Sequence, residues 1–375
     1  MKYITRDKSI ITGEKNLEPL YTFKNFPVFF GCVDTDAKDD VRADMSWAIC
    51  PESGVIQLDK LIPLEILYQS QHVDGTGPTW KQYYQDFAKY IELQNPLNVL
   101  EIGGGQGELA DIFIEHTKDT TWAIVEPNPL HEGSDRIKIV KGFFDKDFSY
   151  DGKIDTITFS QLMEHVYDPQ EFIKSIADRL EVGQKLVFAY PNLKKWLEEK
   201  YTNALNFEHT MFLTDYFIDY ILNLYGFSIV DKTFYKTHSV FYTAEKTGIA
   251  KPAKFENKYT EYKKIFLDFI SYHNDLIADL NTKMSDFDGE VYLFGAHIFS
   301  QYLLEFGLDT SKIVALLDNS NLKEGKRLYG SNLVVQNPAV LAGKGRVGVI
   351  LKVGIYRDEI LKQIQEINPN VVVLE

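Results

Sequence analysis

The chain of 375 residues predicts an α/β fold: a central parallel sheet, preceded by a small irregular N-terminal module and followed by a second α/β domain. Three observations carry that expectation. From about residue 97, short apolar strands alternate with helix-length amphipathic segments, the pattern of parallel strands joined by right-handed crossovers. A glycine-rich turn follows the first of these strands and opens a helix, as ligand-binding α/β sheets require. A second strand–helix alternation closes the chain after a break with turn signals, GIAKPAKFENK, near residue 250. At about 150 residues per domain the length holds two or three domains, here expected at 1–72, 73–250 and 251–375.

In chain order, residues 1–72 offer only short apolar clusters such as Phe23, Phe26, Val28, Phe29 and Phe30, which predict small strands and loops. A helix is expected over 76–93, capped by Thr76 or Thr79, with Trp80, Tyr83, Tyr84, Phe87 and Ile91 on one face. With Asp74-Gly75-Thr76-Gly77 those rings could cover a ligand, although packing of the helix is the simpler reading. The core strands are NVLEI, TWAIVE, RIKIV, DTITFS and KLVFAYP, with helices ELADIFIEH and DPQEFIKSIADRL between them. FLTDYFIDYILNLYG reads as a helix leading into two paired strands, GFSIVDKTFY and HSVFYTAE. Beyond 250, Tyr262, Ile265, Phe266, Phe269, Ile270, Ile277 and Leu280 mark a long amphipathic helix to about 284. EVYLFG, HIFSQYLLEF, KIVALLDN, RVGVILKV, YRDEILKQIQ and VVVL form the final alternation; there Gly295 and Asp318 are too little for a nucleotide fingerprint.

Composition narrows the function. Hydrophobic residues at 45% and aromatics at 14% suit packed cores and argue against extended disorder. The 54 acidic against 40 basic residues, net −14, weigh against nucleic acid as the main ligand. No apolar run approaches the ~18 residues of a membrane helix, and the opening MKYITRDKSIITGEKN lacks a signal peptide's apolar core. Two cysteines, Cys32 and Cys50, exclude a disulfide framework. A cytoplasmic protein acting on a small molecule, with no membrane or nucleic-acid partner, is expected; its oligomeric state is open.

The run Val99-Leu100-Glu101-Ile102-Gly103-Gly104-Gly105-Gln106-Gly107 places glycines at 103, 105 and 107 between a strand and a helix. Without Cβ atoms the backbone can turn tightly and let a ligand lie against it, and the helix start adds unpaired amides. Nineteen residues past Gly107, the second strand ends in Glu126, placed to accept hydrogen bonds from two ribose hydroxyls. Gly105-Gln106-Gly107-Glu108-Leu109-Ala110 satisfies the dinucleotide pattern formally. Counted from the strand end at Gly103, however, its sixth position is Glu108, whose carboxylate opposes pyrophosphate. Glu101 suits a cation better, and S-adenosylmethionine carries both a sulfonium and an α-amino group.

VLEIGGGQGELA resembles motif I of class I S-adenosylmethionine-dependent methyltransferases, and Ser160-Gln161-Leu162-Met163-Glu164-His165-Val166-Tyr167-Asp168-Pro169 resembles their fourth-strand segment. The resemblance implies a Rossmann-like methyltransferase sheet and S-adenosylmethionine as cofactor. It places Glu101, Gly103, Gly105, Gly107, Glu126, Ser160 and Gln161 at that cofactor. Phe143 and Phe144, after the third strand, could flank adenine or sit in the core; Phe144 alone is carried forward. Tyr190 and Asn192 end the fifth strand, where α/β ligands bind, and are expected to face the acceptor.

The whole chain resembles the three-domain C-methyltransferases of nucleotide-activated deoxysugars, through Leu17-Glu18-Pro19-Leu20, Pro51-Glu52-Ser53-Gly54-Val55-Ile56-Gln57-Leu58, Tyr292-Leu293-Phe294-Gly295-Ala296-His297 and Leu317-Asp318-Asn319. The resemblance implies a nucleotide-linked sugar as acceptor, a base that removes a proton beside a keto group, and a C-terminal domain that completes the acceptor site. Two departures stand out. That family holds zinc in its N-terminal module with four cysteines; Cys32 and Cys50, eighteen apart with His72 the nearest histidine, lack the close pair such a site needs. No metal is expected, the module being held by its aromatic cluster alone with both cysteines as buried small hydrophobes. The family's Tyr-His-Glu-His run is here Asn206-Phe207-Glu208-His209. His209 is the expected base, Glu208 could orient it, and His165 could reach the same cavity. Asn206 stands in the tyrosine's place, on the acceptor side, and is equally compatible with transfer to oxygen or nitrogen. A non-catalytic cofactor-binding scaffold is the third reading.

Overall fold

The computed structural model describes residues 3–68, 78–250, 254–354 and 357–375. The N-terminal part comprises β1 (Ile4–Thr5), β2 (Glu18–Pro27), β3 (Cys32–Val33), β4 (Arg42–Ile49), β5 (Ile56–Leu58), β6 (Lys60–Leu61) and the one-turn α1 (Leu64–Leu67). Next come α2 (Pro78–Glu92), β7 (Asn98–Ile102), α3 (Glu108–His116), β8 (Thr121–Glu126), β9 (Ile137–Lys141), β10 (Thr156–Ser160), α4 (Pro169–Ala177) and β11 (Lys185–Pro191). They are followed by α5 (Leu193–Glu198), β12 (Met211–Phe212), α6 (Asp215–Leu224), β13 (Phe227–Tyr235) and β14 (Ser239–Lys246). The last part holds α7 (Tyr259–Asp286), β15 (Val291–Phe294), α8 (Ile298–Glu305), β16 (Ile313–Leu317), β17 (Arg327–Leu328), β18 (Val335–Gln336), β19 (Val347–Leu351), α9 (Arg357–Ile367) and β20 (Val371–Leu374).

The central sheet runs β13-β14-β11-β10-β7-β8-β9, with five parallel strands and the β13/β14 hairpin antiparallel at one edge. Strands such as Thr156–Ser160 and Lys185–Pro191 are buried almost throughout, which is why they read as apolar runs instead of alternating. Helix starts follow local chemistry. Asp168 caps α4 by accepting the Glu171 amide, with Pro169 at the first helical position. Thr76, one of the two caps expected for α2, lies outside the described residues, as do Asp74, Gly75, Gly77 and His72.

The C-terminal sheet, β18-β16-β15-β19-β20, is parallel throughout. Helix α7 joins the two cores. Tyr262, Phe266, Phe269 and Ile270 lie in the core shared by the N-terminal strands and the central sheet, while Ile277, Leu280 and Met284 lie in the C-terminal core.

The N-terminal module departs from expectation in how it is held. Its main sheet runs β12-β5-β4-β2, so one strand comes from beyond residue 210, Met211 pairing with Gln57. Its aromatic cluster does not stand alone: Phe26 packs 4.9 Å from the Tyr302 ring of α8, and Phe23 5.4 Å from Phe306. Asp40 receives both terminal nitrogens of Arg327 at 2.6 and 2.7 Å, Arg42 forks onto Glu305 at 3.0 and 3.3 Å, and β3 pairs with β17. Cys50 is buried as expected, but Cys32 is half-buried, its thiol 3.6 Å from the Ala296 carbonyl. The two cysteines belong to different cores, so neither pairing nor a shared sulfur-rich metal site fits them.

One glycine in this module is under a close approach. Gly54 has φ +83°, and a Cβ there would lie 2.3 Å from the Lys258 carbonyl carbon and the Tyr259 nitrogen at the start of α7. Gly54→Ala is therefore expected to lose about 2–5 kcal/mol of stability, from left-handed backbone strain and overpacking together. Denaturant unfolding monitored by far-UV circular dichroism checks this; a loss below 1 kcal/mol would contradict the packing described.

Candidate active site

The chain builds β7, β8 and β9 outward in one direction, then returns to lay β10 and β11 on the other side of β7. Connections therefore diverge at the carboxyl ends of β7 and β10 and leave a crevice there. Both sequence motifs arrive at that crevice.

At its first wall, Gly103, Gly105 and Gly107 all take positive φ (+73°, +54° and +80°), and Gly107 serves as the left-handed N-cap of α3. The turn is closed by the Gly107 amide on the Gly104 carbonyl at 2.8 Å. Glu126, at the end of β8, accepts the Gly105 amide at 3.3 Å and the Asn128 amide at 3.0 Å, which fixes its carboxylate beside the glycine turn. Glu101 is 3% exposed and accepts the Trp122 indole N–H at 2.8 Å. A Cβ on Gly104 would meet the Glu101 carboxylate at 3.0 Å, so the turn lies directly over that acid. Two carboxylates and a bare backbone thus share one cradle, a donor set suited to a cationic ligand bearing vicinal hydroxyls.

Burial, reinforced by the nearby Glu126 and Asp111 charges, pushes the Glu101 carboxyl up to about 7, with the Trp122 hydrogen bond opposing. Only the ionised form pairs with an ammonium or sulfonium. S-adenosylhomocysteine affinity is therefore expected to rise with pH through about 7, and binding at pH 6 to release a proton. Titration calorimetry in buffers of different ionisation enthalpy reads that proton directly; buffer-independent heats would contradict it. In the ligand-free protein the sign reverses: the native state holds a proton that the unfolded chain, at 4.5, gives up, so this group costs stability as pH rises through that window.

The second wall is locked from below. Ser160 shares a 2.7 Å hydrogen bond with the Tyr83 hydroxyl, and Gln161, at φ +50°, donates to Tyr83 and to Ser239, both at 2.9 Å. Both predicted cofactor neighbours thus spend side-chain bonds on α2 and β14, and what they present to the crevice is the strand end itself. Phe144 packs tilted against Phe148 (5.2 Å) and edge-to-face against Phe172 (5.9 Å) under the Arg179 guanidinium, in the half-buried layer beside the core.

The polar centre lies just beyond β10. The rings of His165 and His209 meet edge-to-face at 5.1 Å. His165 Nδ1 faces Tyr68 Oη at 3.3 Å and Glu208 Oε2 at 3.6 Å, while its Nε2 lies 3.8 Å from Glu164 Oε1. His209 Nδ1 is buried with no hydrogen-bond partner, and burial pulls the imidazole down to about 4 against two backbone carbonyls, of Ala204 and Asn203, that work the other way. At neutral pH its lone pair is free of a proton.

The structure thus brings His165, His209 and Glu208 together, and it gives Asn206 a specific job. Asn206 Oδ1 accepts the Glu208 amide at 2.8 Å and the His209 amide at 2.7 Å, while its Nδ2 donates to the Asn203 carbonyl at 3.1 Å. It therefore holds the turn that aims the histidine, and its polar atoms are spent on backbone. Asn206→Ala is expected to lower turnover about tenfold by loosening that turn, with S-adenosylhomocysteine affinity unchanged; each lost hydrogen bond is worth roughly 1 kcal/mol. Asn192 likewise caps α5 through the Lys195 amide, and Tyr190 is buried in the core, its hydroxyl without a partner.

Three contributors went unnoticed in the sequence. Glu164, within the fourth-strand motif, is 1% exposed, and burial pushes it up to about 8. Arg6 reaches from beyond β1 to the carbonyls of Thr210 (3.0 Å) and Tyr167 (2.8 Å), tying together the two loops that carry the histidines. His238 lies in the β13/β14 turn with Trp80 at 5.1 Å and Trp196 at 5.5 Å, and burial lowers it to about 4. Only Glu164 had a signal, its place in the motif.

Residues 76–232 match a family model described as a methyltransferase domain. No curated protein gives a significant match to the chain. Among solved structures, the chain is similar to the apo S-adenosylmethionine-dependent methyltransferase SibL (16% identity, 45% of this chain and 56% of that one, TM-score 0.37). It is also similar to an O-methyltransferase family protein from Burkholderia thailandensis (10%, 45% and 57%, 0.36) and to the plantazolicin methyltransferase BpumL bound to a pentazolic analog and SAH (12%, 46% and 86%, 0.38). The chain spans a little over half the length of the first two of these. The family match thus covers the segment that carries the glycine turn and both histidines, and the sheet of that segment is mostly parallel and Rossmann-like.

Proposed function

We propose that the whole chain transfers a methyl group from S-adenosylmethionine to a carbon of a small keto-bearing acceptor, a nucleotide-linked sugar. The observation that carries this reading is the histidine pair beside the cofactor crevice, with the unprotonated His209 lone pair held on a turn fixed by Asn206. A carbon beside a keto group accepts a methyl only once a proton leaves it, so this reaction needs a positioned base. Bound S-adenosylmethionine supplies an electrophilic methyl on a sulfonium. Glu101 offsets that positive charge, and Glu126 with the Gly105 amide sets its orientation. His209 takes the proton next to the keto group, the freed electron pair attacks the methyl carbon, and the sulfur leaves with the bonding pair. Holding donor and acceptor in line supplies much of the rate for such a displacement. The C-terminal domain, bolted to the N-terminal module through Arg327 and Arg42, completes the acceptor site.

The test is exchange. With S-adenosylhomocysteine bound, a keto-sugar nucleotide in D₂O should take up deuterium at one carbon. A thermal-shift panel of thymidine, uridine, cytidine and guanosine diphosphates chooses the nucleotide, since a ligand of the folded state raises apparent stability by RT ln(1 + [L]/Kd). Methyl transfer without exchange would favour the second reading, transfer to oxygen or nitrogen, which Asn206 in the tyrosine's place supports.

A further inference from the structure

Glu164 is a fully buried carboxyl group whose Oε2 has no hydrogen-bond partner, and no lysine or arginine among the described residues pairs with it. A buried acid in that state is costly unless something else meets its lone pairs. Two imidazoles stand beside it, His165 Nε2 lying 3.8 Å from Glu164 Oε1. One ligand atom each from Glu164, His165 and His209 lies within 4.8 Å of the others. The buried Nδ1 of His209 is a second unpartnered atom in the same cluster.

His165 adds an orientation. Its Nε2 is turned to Glu164, while its Nδ1 is turned to Glu208 and Tyr68. Metal-binding imidazoles are commonly held this way, one nitrogen on the ion and the other on a carboxylate that fixes the ring. We propose that Glu164, His165 and His209 form a binding site for one divalent transition-metal ion, with Glu208 and Tyr68 steadying His165 from behind.

Two imidazoles and one carboxylate select zinc, cobalt, manganese or ferrous iron over calcium or magnesium, and leave coordination positions open. Bonds of about 2.0–2.2 Å require the three groups to draw in slightly from their present spread. The site also shares the His209 lone pair with the proposed base. Metal and proton abstraction therefore exclude each other, and this consequence rests on the carbon-methylation reading.

The experiment uses the full chain, stripped with a chelator and saturated with S-adenosylhomocysteine, titrated with Co²⁺ and then Zn²⁺. One equivalent of Co²⁺ should bring up visible d–d absorption that Zn²⁺ displaces. Glu164→Gln and His209→Gln should each weaken Co²⁺ binding by on the order of a hundredfold, since even outer partners are worth ~10–100-fold. Unchanged S-adenosylhomocysteine affinity shows that both variants remain folded. Absent absorption, or variants that bind Co²⁺ like the parent, would overturn the site. Zn²⁺ should also stop deuterium uptake at the acceptor carbon; uptake that continues with Zn²⁺ bound would overturn the shared lone pair. A metal-free protein that never exchanges deuterium counts against the carbon-methylation reading and leaves the metal result standing.

Discussion

Glu126→Ala is expected to weaken S-adenosylhomocysteine binding by about a hundredfold while the protein keeps its fold. Glu126 meets two demands at once. Its carboxylate is the acceptor proposed for two ribose hydroxyls, and it also receives the Gly105 and Asn128 amides. Hydrogen bonds to a charged group contribute roughly 1.5–3 kcal/mol, so losing the ribose pair alone gives about two orders of magnitude. Glu126→Gln keeps the shape and one acceptor oxygen, and should recover part of the loss. Calorimetric titration settles it: an alanine variant that binds like the parent would remove the ribose role from this residue. Because β8 is buried from Trp122 through Glu126, the substitution touches the strand end and leaves the sheet in place.

His209→Ala is expected to lower methyl transfer by about 10²–10⁴, the range for removing a positioned base, and to abolish deuterium uptake while S-adenosylhomocysteine affinity stays within about twofold. The split between binding and turnover is the discriminating result. His209 follows Glu208 on a turn tied down by Asn206 and is remote in sequence from both cofactor carboxylates, so a loss of cofactor affinity would mean that the loop had collapsed. Single-turnover rates with a keto-sugar nucleotide measure the effect. An alanine variant that turns over normally would assign the proton to another group or the methyl to another atom.

The regular elements were legible because their information is local. Apolar runs such as Leu186–Tyr190 and the four-residue spacing of α7 state their own burial, and the structure places strands and helices where those patterns predict. The grouping of the glycine turn with its two acids was legible for a related reason: Glu101, the three glycines and Glu126 fall within one β-α-β unit, where spacing along the chain fixes spacing in space. What lay beyond reach depends on distant pairs. Nothing in Met211-Phe212 announces a strand, since two residues carry no period, and its partner sits at Ile56–Gln57. Asn206 reads as a substituted acceptor residue until its bonds to the next turn are seen. Arg6 reads as a surface cation until Thr210 and Tyr167 enclose it. His209 joins Glu164 and His165 only through the fold, forty-four positions along the chain from the pair.

The pairing of β5 with β12 also sets a schedule for synthesis. Gln57 finds its partner only when Met211 has been made, and Cys32 waits longer still, for Leu328. At ~5–20 residues per second, the first interval lasts on the order of ten to thirty seconds. During it β5 has an open edge and Phe26 lacks Tyr302. These strands are thus made well before the residues that complete them. Aggregation of a nascent chain should begin there, and stalling the ribosome before residue 211 should leave β2 to β6 open to protease.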